Sequence, residues 1–267
     1  MLDITDRIRK AIYKHKYIFL KKIGSGLSGK VYTARSVHDQ SVYAIKVIKK
    51  DNHIWNKELE ATRHIASKGE FNLVEIIENE EDVRIVMPYY RNSDLYNLLD
   101  NRGEGLPEKD ALKITLQILK ATENLHQAGY VHLDIKPENI MFDRDNNVVL
   151  IDFGCSEPFD KEVLDRYIGT SYYVAPEIDH FRFSTKTDVW SIGICFYVMI
   201  KFCFPCELVL NYNDESCPDY DQISDNVNNV TELSGESKSV LKRMLIRDFN
   251  ERPSVSELIV DIENILK

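Results

Sequence analysis

The chain has 267 residues, 43% apolar and 29% charged, enough for one substantial core or for two lobes of a single unit. Its net charge of −9 argues against general nucleic-acid binding, and five cysteines, an odd number, with no continuous apolar segment near the start argue against a secreted disulfide scaffold. The longest apolar run, nine residues at 192–200, is too short to span a bilayer and predicts a buried helix, so an intracellular protein with no membrane association is expected.

In chain order, residues 1–16 carry Ile4, Ile8, Ala11 and Ile12 at helical spacing, which predicts a short leading helix ahead of one folded unit at 17–267. Next, IGSGLSGKV at 23–31 places Gly24, Gly26 and Gly29 in a G-x-G-x-x-G-x-V string. Alone the string is weak, because dinucleotide-binding folds use a similar one before a helix. Here it is followed by Val31 and Thr33, an HDQS turn, then Val42, Ala44, Lys46 and Ile48, at period two. That pattern predicts a hairpin and disfavours the dinucleotide fold. Glycines at a hairpin tip let backbone amides approach phosphates with no side chain in the way.

Lys46 sits on an otherwise apolar strand. Burying it costs free energy unless anions meet it, and nucleotide phosphates plus a helix carboxylate would do so. The plainer alternative is an edge-strand lysine that snorkels to water. The carboxylate belongs to the helix expected in KELEATRHIASKGEFNLVEI, where Glu58 and Glu60 both qualify. Glu58 is preferred because Ala61, Thr62 and Ile65 follow at three, four and seven residues, although Thr62 is more polar than an inner face ideally carries.

Farther along, HLDIKPENIMF at 132–142 is followed by IDFG at 151–154, with Asp152 eighteen residues after Asp134. Either fragment alone reads as a solvated pair or a turn. Together they hold the residue types needed to set a hydroxyl nucleophile against a metal-bound triphosphate. Phosphoryl transfer has a loose transition state, so a protein supplies alignment and charge neutralisation. Asp134 would accept or orient the hydroxyl proton, and Lys136 would neutralise charge on the moving group. Asn139 and Asp152 would hold magnesium through hard oxygen ligands.

With GTSYYVAPE at 169–177, DVWSIG at 188–193 and NERPS at 250–254, the chain resembles the eukaryotic protein kinase family from about Tyr17 to Lys267. The resemblance implies an α+β, bilobal fold: a small, mainly β lobe at 17–90 over a larger helical lobe at 91–267, with ATP and Mg2+ in the cleft. It places Ile23, Ser25, Val31, Ala44 and Met141 around the nucleotide. In VRIVMPYYRNSD at 83–94 it makes Met87 the gatekeeper, has Pro88 and Tyr90 present backbone groups to adenine, and lets Asp94 bond the ribose. The prolyl carbonyl suffices at its position. It also pairs Glu177 with Arg252 and makes Asp188 a brace of the catalytic loop.

Antibiotic phosphotransferases share the H-x-D-x-x-x-x-N loop but are not expected to carry the GT and APE segment that builds a peptide shelf. Protein substrates are therefore expected. Gly169 and Thr170, with Thr170 within reach of Asp134 and Lys136, together with KPEN at 136–139, resemble the serine/threonine-specific form. Glu138 is compatible with Arg-directed substrates. The usual H-R-D reads His132-Leu133-Asp134, so the arginine that would meet an activation-loop phosphate is absent, and activity that does not depend strongly on such phosphorylation is expected. The rival class is a pseudokinase scaffold, against which Lys46, Asp134, Asn139 and Asp152 all argue.

MPYY, the ELEATRHIASKGEFNLV run and HQAGYVH look like the cell-division-cycle kinases that initiate DNA replication, which implies an activating regulatory subunit and a nuclear location. Those kinases keep H-R-D and carry long inserts, both missing here, and calcium/calmodulin-type and checkpoint-type kinases stay open. Two segments outside these motifs complete the reading. Residues 207–236 hold eight acidic residues and no Lys or Arg, which predicts a solvated loop, or a docking surface for a basic partner. The CFPC string predicts that Cys203 and Cys206 are two packed thiols.

Overall fold

A computed structural model describes residues 16–26, 29–50, 54–91, 94–161, 163–210 and 216–267; the leading helix expected at 1–16 lies outside these, except for Lys16. The first half folds as an antiparallel sheet of β1 (Tyr17–Ser25), β2 (Lys30–Ser36), β3 (Val42–Lys49), β4 (Glu75–Glu78) and β5 (Asp82–Pro88), in the order β1-β2-β3-β5-β4. The period-two segments are thus the expected hairpin, and Gly24 lies opposite Val31 across it. A Cβ on Gly29 would sit 2.5 Å from the Val47 carbonyl oxygen of β3, so only glycine lets the two strands approach there.

Helix α1 (Ile54–Ser67) packs on this sheet through the stripe that the sequence spacing marks out. Ala61 and Ile65 join Ile48, Phe71 and Ile85 in a buried cluster, while Ile45, Ala34 and Val86 form a second one. Neighbours on β3 therefore face opposite ways, as the pleat requires. Leu125 and Phe153, from the other half of the chain, belong to the α1 cluster, so the two lobes share a piece of core. Each buried Val, Ile, Leu or Phe side chain among them contributes about 1.5–3 kcal/mol over leaving it exposed, and the alanines less.

The larger lobe holds α2 (Leu95–Arg102), α3 (Glu108–Gln127), α4 (Thr185–Lys201), α5 (Tyr220–Asn228), α6 (Gly235–Met244) and α7 (Val255–Leu266). Its centre is α4, buried at every position from Thr187 to Ile200, as an all-round apolar sequence demands. Ser184 caps its first turn, and Phe202, at φ 54°, ends it. Short strand pairs carry the loops: β6 (Tyr130–Val131) with β9 (Glu157–Pro158), and β7 (Ile140–Phe142) with β8 (Val148–Leu150).

Two expectations are corrected. The acidic stretch is not simply a solvated loop: its described part contains α5 and a small ladder of β10 (Leu208–Leu210) with β11 (Ser216–Pro218). Tyr220, Ile223 and Val227 turn one face of α5 into the core while the carboxylates stay outside. Nor are the two CFPC thiols both packed. The chain reverses at Phe202, which leaves Cys203 exposed and returns only Cys206 to the core.

Candidate active site

Between the lobes lies a cavity of about 460 Å3, within the range of small-molecule sites. Its walls include every residue expected around the nucleotide. Ile23, Gly24, Ser25, Gly26, Gly29 and Val31 line it from the hairpin, and Ala44 and Lys46 from β3. Met87, Pro88 and Tyr90 line it from the end of β5 and beyond, with Asp94 and Met141 completing that side. Asp94 also caps α2: its two carboxylate oxygens accept from the backbone N–H and side-chain amide of Asn97, each at 2.7 Å.

Lys46 is buried and meets two carboxylates, Glu58 Oε1 at 2.5 Å and Asp152 Oδ1 at 2.8 Å. Glu60 is exposed, so the choice of Glu58 agrees with the geometry. Burial alone would push the Lys46 ammonium down, but Asp152 and Glu58 together hold its pKa above that of an ordinary lysine. Burial likewise raises Asp152, and the opposing Lys46 charge outweighs it, keeping the carboxyl below its usual range. Next to it, burial pushes the Cys155 thiol up to about 11, so it stays protonated.

The second group is a closed network. Thr170 Oγ1 donates to Asp134 Oδ1 at 2.6 Å, Lys136 Nζ donates to Thr170 Oγ1 at 2.6 Å, and Lys136 lies 2.9 Å from Asp134 Oδ2. The Asn139 side-chain amide donates to the Asp134 carbonyl at 2.8 Å and to Asp134 Oδ2 at 3.1 Å. Asp134 and Thr170 do not line the cavity themselves, whereas Lys136 and Asn139 do. Those two residues therefore join the network to the cleft.

Beneath it, the buried Asp188 accepts from the backbone N–H groups of His132 and Leu133, both at 2.8 Å, and His126 Nε2 lies 2.8 Å away. Glu177 and the fully buried Arg252 form a bidentate pair at 2.9 and 3.1 Å. These residues brace the site from behind, as the motifs imply.

The donor set fits a magnesium nucleotide. Asn139 spends its N–H groups on Asp134, which leaves its amide oxygen as a ligand, and Asp152 pairs with Lys46 through Oδ1, which leaves Oδ2. Magnesium typically takes one or two protein oxygens plus substrate phosphates. That need is met without the cluster of three or more His, Cys, Asp or Glu side chains that is absent among the described residues.

Sequence reasoning missed Thr62 as a lining residue, and also Phe71, Ile85, Tyr89, Glu138 and Ile151. Ile85 had a signal, being two residues before Met87 on one strand. Phe71 had none: it arrives from the turn after α1 to meet Phe153 edge-on, with centroids 5.2 Å apart. Among the described residues no helix is long and apolar enough to cross a membrane.

Comparison with known proteins agrees with this geometry. Calcium-dependent protein kinase 4 of Plasmodium falciparum is 29% identical over 88% of this chain and 47% of that protein. CDPK-related kinase 4 of Arabidopsis thaliana is 30% identical over 92% and 44%. NUAK family SNF1-like kinase 2 of Rattus norvegicus is 34% identical over 72% and 32%. The chain thus spans less than half the length of these relatives. The family profile of the protein kinase domain matches residues 17–261, both lobes and the cleft between them, and the chain belongs to the protein kinase family.

Proposed function

We propose that this chain is a serine/threonine protein kinase that moves the γ-phosphate of ATP to hydroxyl groups of protein substrates. The observation that carries the reading is the Thr170–Asp134–Lys136 network, in which a hydroxyl already occupies hydrogen-bonding distance from the carboxylate expected to act as base. Asp134 orients an incoming hydroxyl and receives its proton, and Thr170 and Lys136 fix the carboxylate for that task. Lys46, held by Glu58, would position the phosphates, while Asn139 and Asp152 would hold magnesium. Magnesium, when bound, neutralises charge on the phosphates. The apolar walls formed by Val31, Ala44 and Met141 suit a flat base.

The test is magnesium-dependent transfer of labelled γ-phosphate to an arrayed peptide library, comparing wild type with Asp134→Asn. Label on Ser or Thr that disappears in the variant supports the reading. Label on Tyr alone, or nucleotide binding with no transfer, overturns it.

The absence of the H-R-D arginine supports turnover without activation-segment phosphorylation. Leu133 is buried with Leu164 and Ile168 of that segment. Phosphatase-treated protein is therefore expected to keep its activity. The resemblance to cell-division-cycle kinases adds the narrower expectation of an activating subunit.

A further inference from the structure

We propose that Glu157 is a positioning residue for phosphoryl transfer, tying the catalytic loop to the helix that carries Glu58. The proposal rests on the kinase reading and names the residues that would do the work of a loop phosphate. Glu157 lies on β9, and its backbone is paired with Val131 of β6, the strand that runs directly into His132-Leu133-Asp134. Its carboxylate is 3% exposed. It forms an ion pair with Lys57 of α1 and lies 3.6 Å from Lys161.

Lys57 is the residue before Glu58. One side chain therefore connects the backbone leading to Asp134 with the helix whose carboxylate holds Lys46. A buried carboxylate is costly unless cations meet it. If α1 swung away from the cleft, Glu157 would keep Lys161 as its one cationic partner among the described residues, so the outward position of the helix is disfavoured. Where a phosphorylated loop orders a kinase, phosphate and guanidinium make this kind of connection. Here a permanent carboxylate supplies the negative charge. Leu133, in place of an arginine, packs with Leu164 and Ile168 on the same segment, so the loop needs no added phosphate to hold it.

The experiment is a double-mutant cycle on the full chain with Lys57→Met, Glu157→Gln and the pair together, plus Lys57→Arg as the conservative control. Each variant is read by steady-state transfer to a peptide and by amide hydrogen exchange over 54–67. Each single variant is expected to lose roughly tenfold in kcat, as for a coupling of ordinary size, with KM for the peptide within about twofold of wild type. Exchange across α1 should rise, the double variant should lose no more than either single one, and Lys57→Arg should retain activity. Additive losses, or unchanged exchange over 54–67 in Glu157→Gln, would overturn the proposal. If wild type transfers no phosphate, the kinase reading fails, and the exchange comparison alone still decides whether Glu157 holds α1.

Discussion

Leu133 offers the most demanding test of how the catalytic loop is held. It has a positive φ of 64°, a conformation that costs a non-glycine residue about 1–2 kcal/mol, yet the residue is only 5% exposed. It belongs to one buried cluster with Val131, Leu164, Ile168, Val174, Ile178 and Phe183. Leu133→Ala keeps the unfavourable backbone and removes the packing. Truncations of this kind cost about 2–5 kcal/mol, and in a domain of this size each kcal/mol lowers Tm by roughly 2–4 °C. Taking about 3 kcal/mol, a fall of roughly 6–12 °C is expected by differential scanning calorimetry, together with lower transfer activity. Leu133→Arg restores the family's usual residue but buries a charge in the same apolar group, so it should destabilise at least as much and should not activate. A Tm within about 2 °C of wild type for Leu133→Ala would refute the view that this cluster holds the loop.

Three further outcomes follow from the site. Asp188→Asn puts an N–H group opposite one of the two backbone donors, because the His132 and Leu133 N–H groups meet different carboxylate oxygens, and leaves that buried donor unsatisfied; it should cost about 1–3 kcal/mol, read by urea denaturation, with kcat falling as the His132–Asp134 backbone loosens. Gly169 has φ 102°, and an added Cβ would meet the Leu133 carbonyl oxygen at 3.0 Å, so Gly169→Ala should destabilise by about 1–3 kcal/mol and displace Thr170, lowering kcat in the peptide assay. Asp152 carries the pH prediction: with its folded pKa below the unfolded value of about 3.9, its pairing with Lys46 stabilises the protein above that pH and is lost as pH falls through the lower folded value. Lys46→Met leaves burial as the dominant influence and reverses that sign, so the Tm gap between the variant and wild type should narrow as the pH is taken from 7 to below about 4.

The parts of the site legible in the sequence are those in which a residue type conflicts with its surroundings. Lys46 on an apolar strand required carboxylates, and the spacing of Ala61, Thr62 and Ile65 was enough to choose Glu58 over Glu60. The acidic stretch failed in the opposite way. Charge density hid Tyr220, Ile223 and Val227, whose spacings of three and four residues do mark a helical face. The loss of the H-R-D arginine was also visible. Its replacement by packing with Leu164 and Ile168 was not, because those contacts join residues more than thirty positions apart and no local period announces them. The same holds for Glu157 and Lys57, each an ordinary surface residue in the sequence and partners only after the lobes close.

The strained positions show how the loop's shape is set. Leu133 and Asp152 have φ values of 64° and 65°, and Gly169 one of 102°, so three of the segments that meet at the site adopt left-handed backbone there. Two of the three are not glycine, and such conformations persist only where the surroundings over-determine them. At Leu133 the determinants are Asp188, which accepts from its N–H, and the apolar cluster around its side chain. At Asp152 they are Lys46 on the carboxylate and the Phe153 ring packed against Phe71. The backbone that carries Asp134 and Asp152 is thus over-determined by the chain's own side chains, and pre-organisation of this kind suits electrostatic catalysis of a loose transition state.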